Sequence, residues 1–282
     1  MKNRSMPNGV REAGGVLDRI VRAKAERLEH AKLIAPAEQV AEQSSRAAAA
    51  RRAGSFAEAL ARPGAVNVIA EVKHRSPSKG VIREDFNPVC IALGYRDAGA
   101  AALSVLCEED FFGGSLDHLK AIRGHVDLPL LRKDFIFDEY QIHESAAAGA
   151  DALLLIVAIL GDELLARLVD LARSLKLDTL VEVHSAFEME RAVRAGARVI
   201  GVNNRDLTTF TVDLSVSTEL APLAPEGAVL VSESGINSAR EVRSLKSAGY
   251  HAFLIGEHFM RAADPGDALR GLVAGCKDIT PE

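Results

Sequence analysis

The sequence predicts an α/β fold, a closed (β/α)8 TIM barrel with an N-terminal helical extension. Three observations predict it: glycines that recur at regular intervals before apolar runs, further apolar runs midway between them, and amphipathic segments that separate the runs. The chain has 282 residues, of which 48% are apolar. It is therefore long enough to bury the core of one such domain.

Residues 1–54 are predicted to form the extension and residues 55–282 the barrel. The segment 16–53 is rich in Ala, Glu, Arg and Lys, and four of its apolar residues share one helical face, namely Leu17, Ile20, Val21 and Leu28. We expect one or two helices packed on the barrel instead of a separate domain. The first fifteen residues contain two turn-type dipeptides, Asn-Gly and Gly-Gly, and are expected to be mobile.

The recurring glycines mark the ends of helices. Gly99, Gly149, Gly196 and Gly249 each follow an alanine and stand just before an apolar run. Glycine tolerates the left-handed conformation that commonly ends a helix, so each position indicates a helix end followed by a buried strand. The spacing of about 50 residues is typical of a repeated structural unit.

Four further apolar runs supply the remaining strands, at residues 67–73, 129–133, 178–183 and 228–232. They are nearly continuously apolar, as expected for parallel strands that are covered on both faces. Amphipathic segments predict helices at residues 116–125, 138–148, 162–175, 186–195 and 239–248. Eight even repeats favour closure into a barrel, and a doubly wound open sheet is the alternative.

Composition excludes several classes of protein. The formal net charge is −5 with mixed signs, so neither a nucleic acid nor an acidic membrane is indicated as a partner. The three cysteines have no paired spacing, which argues against disulfides and a structural zinc site. The histidines show no metal-ligand spacing, and no apolar run reaches the ~18 residues of a membrane span. We therefore expect a cytoplasmic protein without a metal.

Polar side chains stand where the predicted strands end, and in this fold those ends build the active site. Glu71 and Lys73 are two residues apart on the first strand, so they point to the same side. Burying such a pair is costly unless it has a purpose. Other strand ends carry Lys133, Glu182 and Asn203, and the last two carry Glu233 and Glu257.

Each of these groups also has a structural alternative. The alternatives are a buried ion pair for Glu71 with Lys73, a surface pair for Lys133 with Asp134, backbone support for Asn203, and an ion pair for Arg205 with Asp206. The convergence of all of them on one rim favours function. A Schiff base on Lys73 or Lys133 stays open from spacing alone.

The last two strand ends also indicate a phosphate site. Ser234, Gly235 and Gly256 follow the seventh and eighth strands, where this fold commonly binds phosphate, and glycine lets the backbone approach a ligand closely. Ser76, one strand further round the barrel, can complete the site.

These residues resemble the motifs of the indole-3-glycerol-phosphate synthase family. The segment 69–73 (IAEVK), followed by Ser76-Pro77-Ser78 and Gly80, resembles its signature. Other motifs follow in order, at residues 131–136 (LRKDFI), 180–183 (LVEV), 200–207 (IGVNNRDL) and 232–236 (SESGI). The resemblance covers residues 67–260. It implies a lyase of tryptophan biosynthesis that closes the pyrrole ring of 1-(2-carboxyphenylamino)-1-deoxyribulose 5-phosphate, with loss of carbon dioxide and water and without a cofactor.

The resemblance also implies roles for the catalytic residues. Lys133 is expected to be the general acid that protonates the substrate carbonyl, since a lysine is protonated at neutral pH. Glu182 is expected to serve the dehydration as a base or proton relay. Lys73 would hold the substrate carboxylate or assist dehydration, and Glu71 would position Lys73.

Substrate-binding roles follow in the same way. Asn203 and Glu233 would orient the substrate's hydroxyls or anilino nitrogen, and the expected binding residues are Phe112, Phe135 and Leu154 around the anthranilate ring, Ser76, Ser234, Gly235 and Gly256 at the phosphate, and Arg205. Glu257 departs from the expected pattern, because a carboxylate side chain cannot bind phosphate. The sequence leaves monomer and homodimer open.

Two other functions compete with this one. The preceding isomerase of the pathway is also a phosphate-binding barrel, but its chemistry uses a Cys with an Asp; here Cys90 lies in a predicted helix and Cys107 has no matching Asp. A barrel that binds a sugar phosphate without catalysis, or serves as a scaffold, is the second alternative.

Overall fold

The computed structural model describes residues 6–277 and contains a closed barrel of eight parallel strands. The strands are β1 (Asn67–Val72), β2 (Ala102–Leu106), β3 (Leu130–Lys133), β4 (Ala152–Ile156), β5 (Asp178–Val183), β6 (Val199–Asn203), β7 (Val229–Glu233) and β8 (Ala252–Ile255). Each strand pairs with its neighbours in chain order, and β8 closes the barrel against β1 with Asn67 opposite Ala252. The barrel prediction is confirmed, and the open sheet is excluded.

Helices surround the barrel and precede it. They are α1 (Gly15–Ile34), α2 (Ala37–Ala50), α3 (Ser55–Leu60), α4 (Pro88–Asp97), α5 (Leu116–Arg123), α6 (Glu139–Ala147), α7 (Asp162–Ser174), α8 (Ala186–Arg194), α9 (Ser215–Leu220), α10 (Ala239–Ser247), α11 (Glu257–Met260) and α12 (Pro265–Gly275). Two short 3-10 segments occur at Val157–Ile159 and Ala221–Leu223, and Arg75–Ser76 pairs with Gly80–Val81 in a small hairpin. None of these helices, within the described residues, is long and apolar enough to cross a membrane.

The glycine repeat has the predicted geometry. Gly99, Gly149, Gly196 and Gly249 all have positive φ, between 77° and 103°, and each stands a few residues before a barrel strand. An L side chain would be strained there, so glycine ends the helix and turns the chain into the next strand.

The N-terminal helices pack on the barrel as predicted. The shared face of α1 is buried, with Leu17, Ile20, Val21 and Leu28 between 0% and 6% exposed, and α2 packs against α6. Helix α3 was not predicted. It lies at the amino-terminal ends of the strands, where the N–H groups of Phe56 and Ala57 donate to Asp178 at the start of β5.

The predicted mobility of the first fifteen residues is wrong for the part that the structure describes; residues 1–5 lie outside it. Val10 forms an antiparallel bridge with Leu160. The N–H of Arg11 donates to the carbonyl of Ile159 at 2.9 Å, and the N–H of Gly161 donates to the carbonyl of Gly9 at 2.8 Å. The partner segment follows β4, some 150 residues away in sequence, so local turn signals could not reveal it.

Candidate active site

A pocket of about 1230 Å³ opens at the carboxyl ends of the strands. All fourteen predicted site residues line it: Glu71, Lys73, Ser76, Phe112, Lys133, Phe135, Leu154, Glu182, Asn203, Arg205, Glu233, Ser234, Gly235 and Gly256. Every strand of the barrel, or the loop that follows it, contributes at least one of them. The fold therefore brings residues that are far apart in sequence to one cavity.

Lys133 is the centre of the polar network. Its ammonium lies 3.2 Å from Glu182 Oε2 and forms a second, short ion pair with Glu233 Oε2. Both carboxylate side chains are almost fully buried, and the other oxygen of Glu233 has no hydrogen-bond partner. Gly201 on β6 makes room for Glu233, since a Cβ at that position would collide with its carboxylate. One ammonium therefore serves two buried carboxylates.

This crowding moves the pKa values of the three groups. Burial opposes the charged form of Lys133, but Glu233 and Glu182 outweigh burial and raise the pKa of the ammonium. Burial, together with repulsion from Glu182, raises the pKa of Glu233 to about 7 despite Lys133. Although burial also disfavours the Glu182 carboxylate, Lys133, His184 and a hydrogen bond from Asn203 hold the pKa of Glu182 below its usual value. The site thus combines a protonated lysine, an ionised Glu182 and a carboxyl that titrates near neutrality.

Glu71 and Lys73 form the expected ion pair, with Lys73 Nζ 2.5 Å from Glu71 Oε1. Ser104 on β2, which pairs in register with Glu71, lies 3.5 Å from Glu71 Oε2. Gly256 packs directly against Glu71, and a Cβ there would collide with the carboxylate. The glycine at 256 therefore has a structural cause besides any contact with a ligand.

Asp134 does not form a surface pair with Lys133, so that alternative is wrong. The Asp134 carboxylate is fully buried between Lys24 of α1, at 2.8 Å, and Arg132, also at 2.8 Å. Arg132 in turn reaches Glu144 of α6. A charged network beneath β3 thus connects the N-terminal helix to the residue next to Lys133.

The predicted ion pair of Arg205 with Asp206 is also wrong. Arg205 instead lies 3.8 Å from Glu257, which is also 3.0 Å from Arg261. Asp206 accepts hydrogen bonds from two backbone N–H groups of its own loop. The Glu257 carboxylate therefore faces two guanidinium groups at the rim of the pocket.

Asn203 combines the structural and the functional expectation. Its Oδ1 accepts the N–H of Arg205 at 3.0 Å, which is the backbone support considered from the sequence. Its side chain also hydrogen-bonds to Glu182. Asn203 therefore fixes both the start of its loop and the orientation of a buried carboxylate.

An apolar wall faces the charged groups. The rings of Phe112 and Phe135 lie 6.3 Å apart between centroids and are tilted by 36°, and buried Leu154 lies in the same pocket. The loop that carries Phe112 is held by Glu108, whose carboxylate accepts three backbone N–H groups. This wall has the flat, apolar surface that an aromatic ring requires.

The loop after β7 has an unusual backbone. Ser234 and Gly235 have φ of 67° and 81°, so two consecutive residues are left-handed. Asn204 supports this loop by donating to Ser232 Oγ and to the carbonyls of Glu233 and Ser234. Across the pocket, the buried hydroxyl of Ser76 has no hydrogen-bond partner.

Three polar residues near the site were missed from the sequence. Ser104 was detectable as the polar residue inside an apolar strand run, in a position opposite Glu71. Asn204 belongs to the quoted IGVNNRDL motif but was given no role. His184, two residues beyond Glu182, was considered only as a metal ligand; among the described residues there is no cluster that could hold a metal ion.

Taken together, the fold and the pocket define a class: a barrel enzyme with a protonated lysine between two acidic side chains and an apolar wall beside them. Among solved structures, the barrel is similar to 3-hexulose-6-phosphate synthase from Salmonella typhimurium, with a TM-score of 0.61 at 14% identity, over 74% of this chain and 97% of that one. It is also similar to KGPDC from Streptococcus mutans, with a TM-score of 0.59 at 14% identity, over 76% and 99% of the two chains. These likenesses concern the fold alone.

Sequence relatives identify the family. The indole-3-glycerol phosphate synthase family model matches residues 17–272. The chain is 48% identical to the enzyme of that name from Carboxydothermus hydrogenoformans, over 92% of this chain and 99% of that one. It is 51% identical to indole-3-glycerol phosphate synthase 2 of Streptomyces coelicolor, over 80% and 88%. The chain belongs to the indole-3-glycerol phosphate synthase family.

Proposed function

We propose that this chain converts 1-(2-carboxyphenylamino)-1-deoxyribulose 5-phosphate into indole-3-glycerol phosphate, carbon dioxide and water, with the fourteen pocket residues as its site. The observation that carries the proposal is the ammonium of Lys133, held between Glu182 and Glu233 beside an apolar wall. Ring closure needs a proton donor for the ketone oxygen, and dehydration needs a base. The pocket offers both within a few ångströms.

Lys133 is the proposed acid of the first step. The aromatic carbon that bears the carboxylate attacks the substrate carbonyl, and Lys133 gives its proton to the developing alkoxide. Because the two glutamates raise its pKa, Lys133 stays protonated at neutral pH until the substrate oxygen demands the proton. Loss of carbon dioxide then returns the electron pair to the ring.

Glu182 is the proposed base of the dehydration. Its lowered pKa keeps it ionised, so it can accept the carbon-bound proton as the hydroxyl leaves. Lys73 lies on the other side of the pocket and is the proposed partner, either for the substrate carboxylate or for the leaving hydroxyl. Glu71, which lies 2.5 Å from Lys73, positions that ammonium.

The remaining residues are proposed to hold the substrate. The anthranilate ring would lie against Phe112, Phe135 and Leu154, since these supply the apolar part of the lining. Asn203 and Glu233 would orient the hydroxyls or the anilino nitrogen. The phosphate would lie by Ser234, Gly235 and Gly256, with the unpartnered hydroxyl of Ser76 and the guanidinium of Arg205 facing it.

The isomerase alternative is disfavoured by the cysteines. Cys107 is fully buried, and burial raises the pKa of its thiol well above the usual range. Cys90 is exposed on α4 and is absent from the pocket lining. Neither thiol is poised for acid–base chemistry there.

The direct test is to mix the purified protein with the substrate and follow the absorbance and fluorescence of the indole product. We expect multiple turnovers, which the isomerase reaction would not give. Absence of product at every protein concentration would refute the proposed activity. Binding of the substrate without turnover, measured by titration calorimetry, would instead support the non-catalytic barrel.

A further inference from the structure

His184 connects the base of the active site to a second carboxylate. It follows β5 directly, and its Nε2 lies 3.5 Å from Glu182 Oε1. On its other side, Nδ1 lies 3.3 Å from Glu188 Oε2, and the backbone N–H of His184 donates to the same oxygen at 2.7 Å. Nε2 is buried and has no other partner. The imidazole therefore stands in line between two carboxylates, with its free nitrogen toward Glu182.

The two carboxylates belong to different cavities. Glu182 lines the large pocket, whereas His184 and Glu188 line a neighbouring one of about 520 Å³. Arg11 and Ala13 of the N-terminal segment form part of that second cavity, and Asn203 borders both. The imidazole thus spans the wall between the active site and a solvent-facing cavity.

We propose that His184 is a positioning residue that relays the proton of Glu182 to Glu188 and so to solvent through the second cavity. The inference rests on the proposed function, in which Glu182 takes a proton from the substrate carbon. Because Glu182 is buried in a pocket that the substrate fills, this proton needs another way out before the next turnover. The protein supplies one through an imidazole, whose two nitrogens can accept on one side and donate on the other.

The transfer balances in protons and charge. Neutral Glu182 gives its proton to Nε2 of His184, and the N–H bond at Nδ1 breaks as its proton passes to the Glu188 carboxylate. Glu182 is again a carboxylate, and the imidazole has changed tautomer. Glu188 releases the proton to water, and rotation or reverse exchange of protons with water restores the first tautomer.

The charges around the imidazole favour a cationic intermediate. Glu182 of β5, Glu188 of α8 and Glu233 of β7 all stabilise the imidazolium and, against the effect of burial, raise the pKa of His184. Asp206 of the loop after β6 also interacts with it electrostatically. Arg11, across the second cavity, is the cation of the opposite wall. His184 can therefore carry positive charge during the transfer.

The test compares His184→Gln, His184→Ala and Glu188→Gln with wild type in pH–rate profiles of kcat. Glutamine places an amide donor near Glu182 but cannot relay a proton. We expect kcat to fall about tenfold or more in His184→Gln, a loss within the range of acid–base effects. The acid limb should move to higher pH, because loss of the neighbouring cation raises the pKa of Glu182. Added imidazole should restore part of the rate in His184→Ala.

His143→Gln is the matched control. His143 is a half-buried histidine of α6, bonded to Ser44, and we expect its kcat and acid limb to equal those of wild type. An unchanged kcat and acid limb in His184→Gln would overturn the relay while leaving the proposed function intact. A loss of rate with an unmoved acid limb and no rescue by imidazole would overturn it too, since that pattern indicates a structural role. Failure of wild type to make indole product would instead refute the function itself.

Discussion

The two ends of the barrel use buried charge in opposite ways. At the amino-terminal end, Asp178 accepts two backbone N–H groups of α3, and Asp151 accepts the N–H of Leu130 and a 2.6 Å ion pair from Arg123. At the carboxyl end, two buried glutamates share one lysine, and Glu233 has an oxygen without a partner.

The difference separates groups that hold the fold from groups that await a ligand. A carboxylate that accepts backbone N–H groups is fully engaged before anything binds, and its loss lowers stability. Carboxylates that repel one another around one cation leave the free protein with unused electrostatic interactions, which a substrate can complete. Variants at the two ends should therefore affect different measurements.

The largest effect is expected for Lys133→Ala. Removing the proposed acid should lower kcat about 10³-fold or more, as removal of a general acid and electrostatic stabiliser does, while the substrate still binds. Stopped or steady-state assays of indole product give kcat, and calorimetry gives binding. The control is Lys120→Ala, since Lys120 is an exposed residue of α5 that pairs with Asp117. Full activity in Lys133→Ala would refute the assignment of the acid.

Glu182→Gln should lose less, about 10²-fold in kcat, because the amide keeps the shape of the side chain but cannot accept the proton. The expected loss appears in kcat more than in KM, since the base acts in the dehydration. Glu139→Gln, at an exposed position of α6, serves as the control. A variant that raises KM alone would indicate that Glu182 only binds the substrate.

Asp178→Ala tests the other end of the barrel. It removes the acceptor of two N–H groups at the start of α3, so we expect a loss of about 1–3 kcal/mol in unfolding free energy, measured with urea. The kcat of the folded variant should stay at the wild-type value. A drop in kcat with unchanged stability would contradict the division of labour between the two ends.

The smallest expected effect is a pH dependence of stability that originates from Glu233. Its pKa is raised to about 7 in the folded protein and is about 4.3 when unfolded. The folded state therefore holds the proton more tightly. Its contribution is complete below the unfolded pKa and is lost as pH rises through about 7. Glu233→Gln should lack this decline, so its Tm should exceed that of wild type most at pH 8. Parallel Tm–pH curves for the two proteins would contradict the prediction.

Local patterns predicted the repeated elements well. The boundaries of β5 were predicted as observed, and the glycine-ended helices followed because a left-handed cap is a local property of the chain. The partners of side chains were harder to predict. Asp134 was expected at the surface, yet Lys24 of the N-terminal helix buries it, and no signal near either residue shows that pairing.

The site was predictable where residue type and strand position decide it. Lys133, Glu182 and Glu233 each end a strand of the barrel, so closure alone brings them together. His184 was missed because its role depends on the distance to Glu188 and on a cavity that the N-terminal segment helps to form. Such a cavity is a product of tertiary packing and has no periodicity in sequence.

A crystal structure with indole-3-glycerol phosphate bound tests the central claim most directly. We predict the phosphate beside Ser234, Gly235 and Gly256, the indole ring against Phe112 and Leu154, and the ammonium of Lys133 within hydrogen-bond distance of the product's polar atoms. Product bound outside the large pocket, or bound there with its ring and phosphate reversed, would contradict the account.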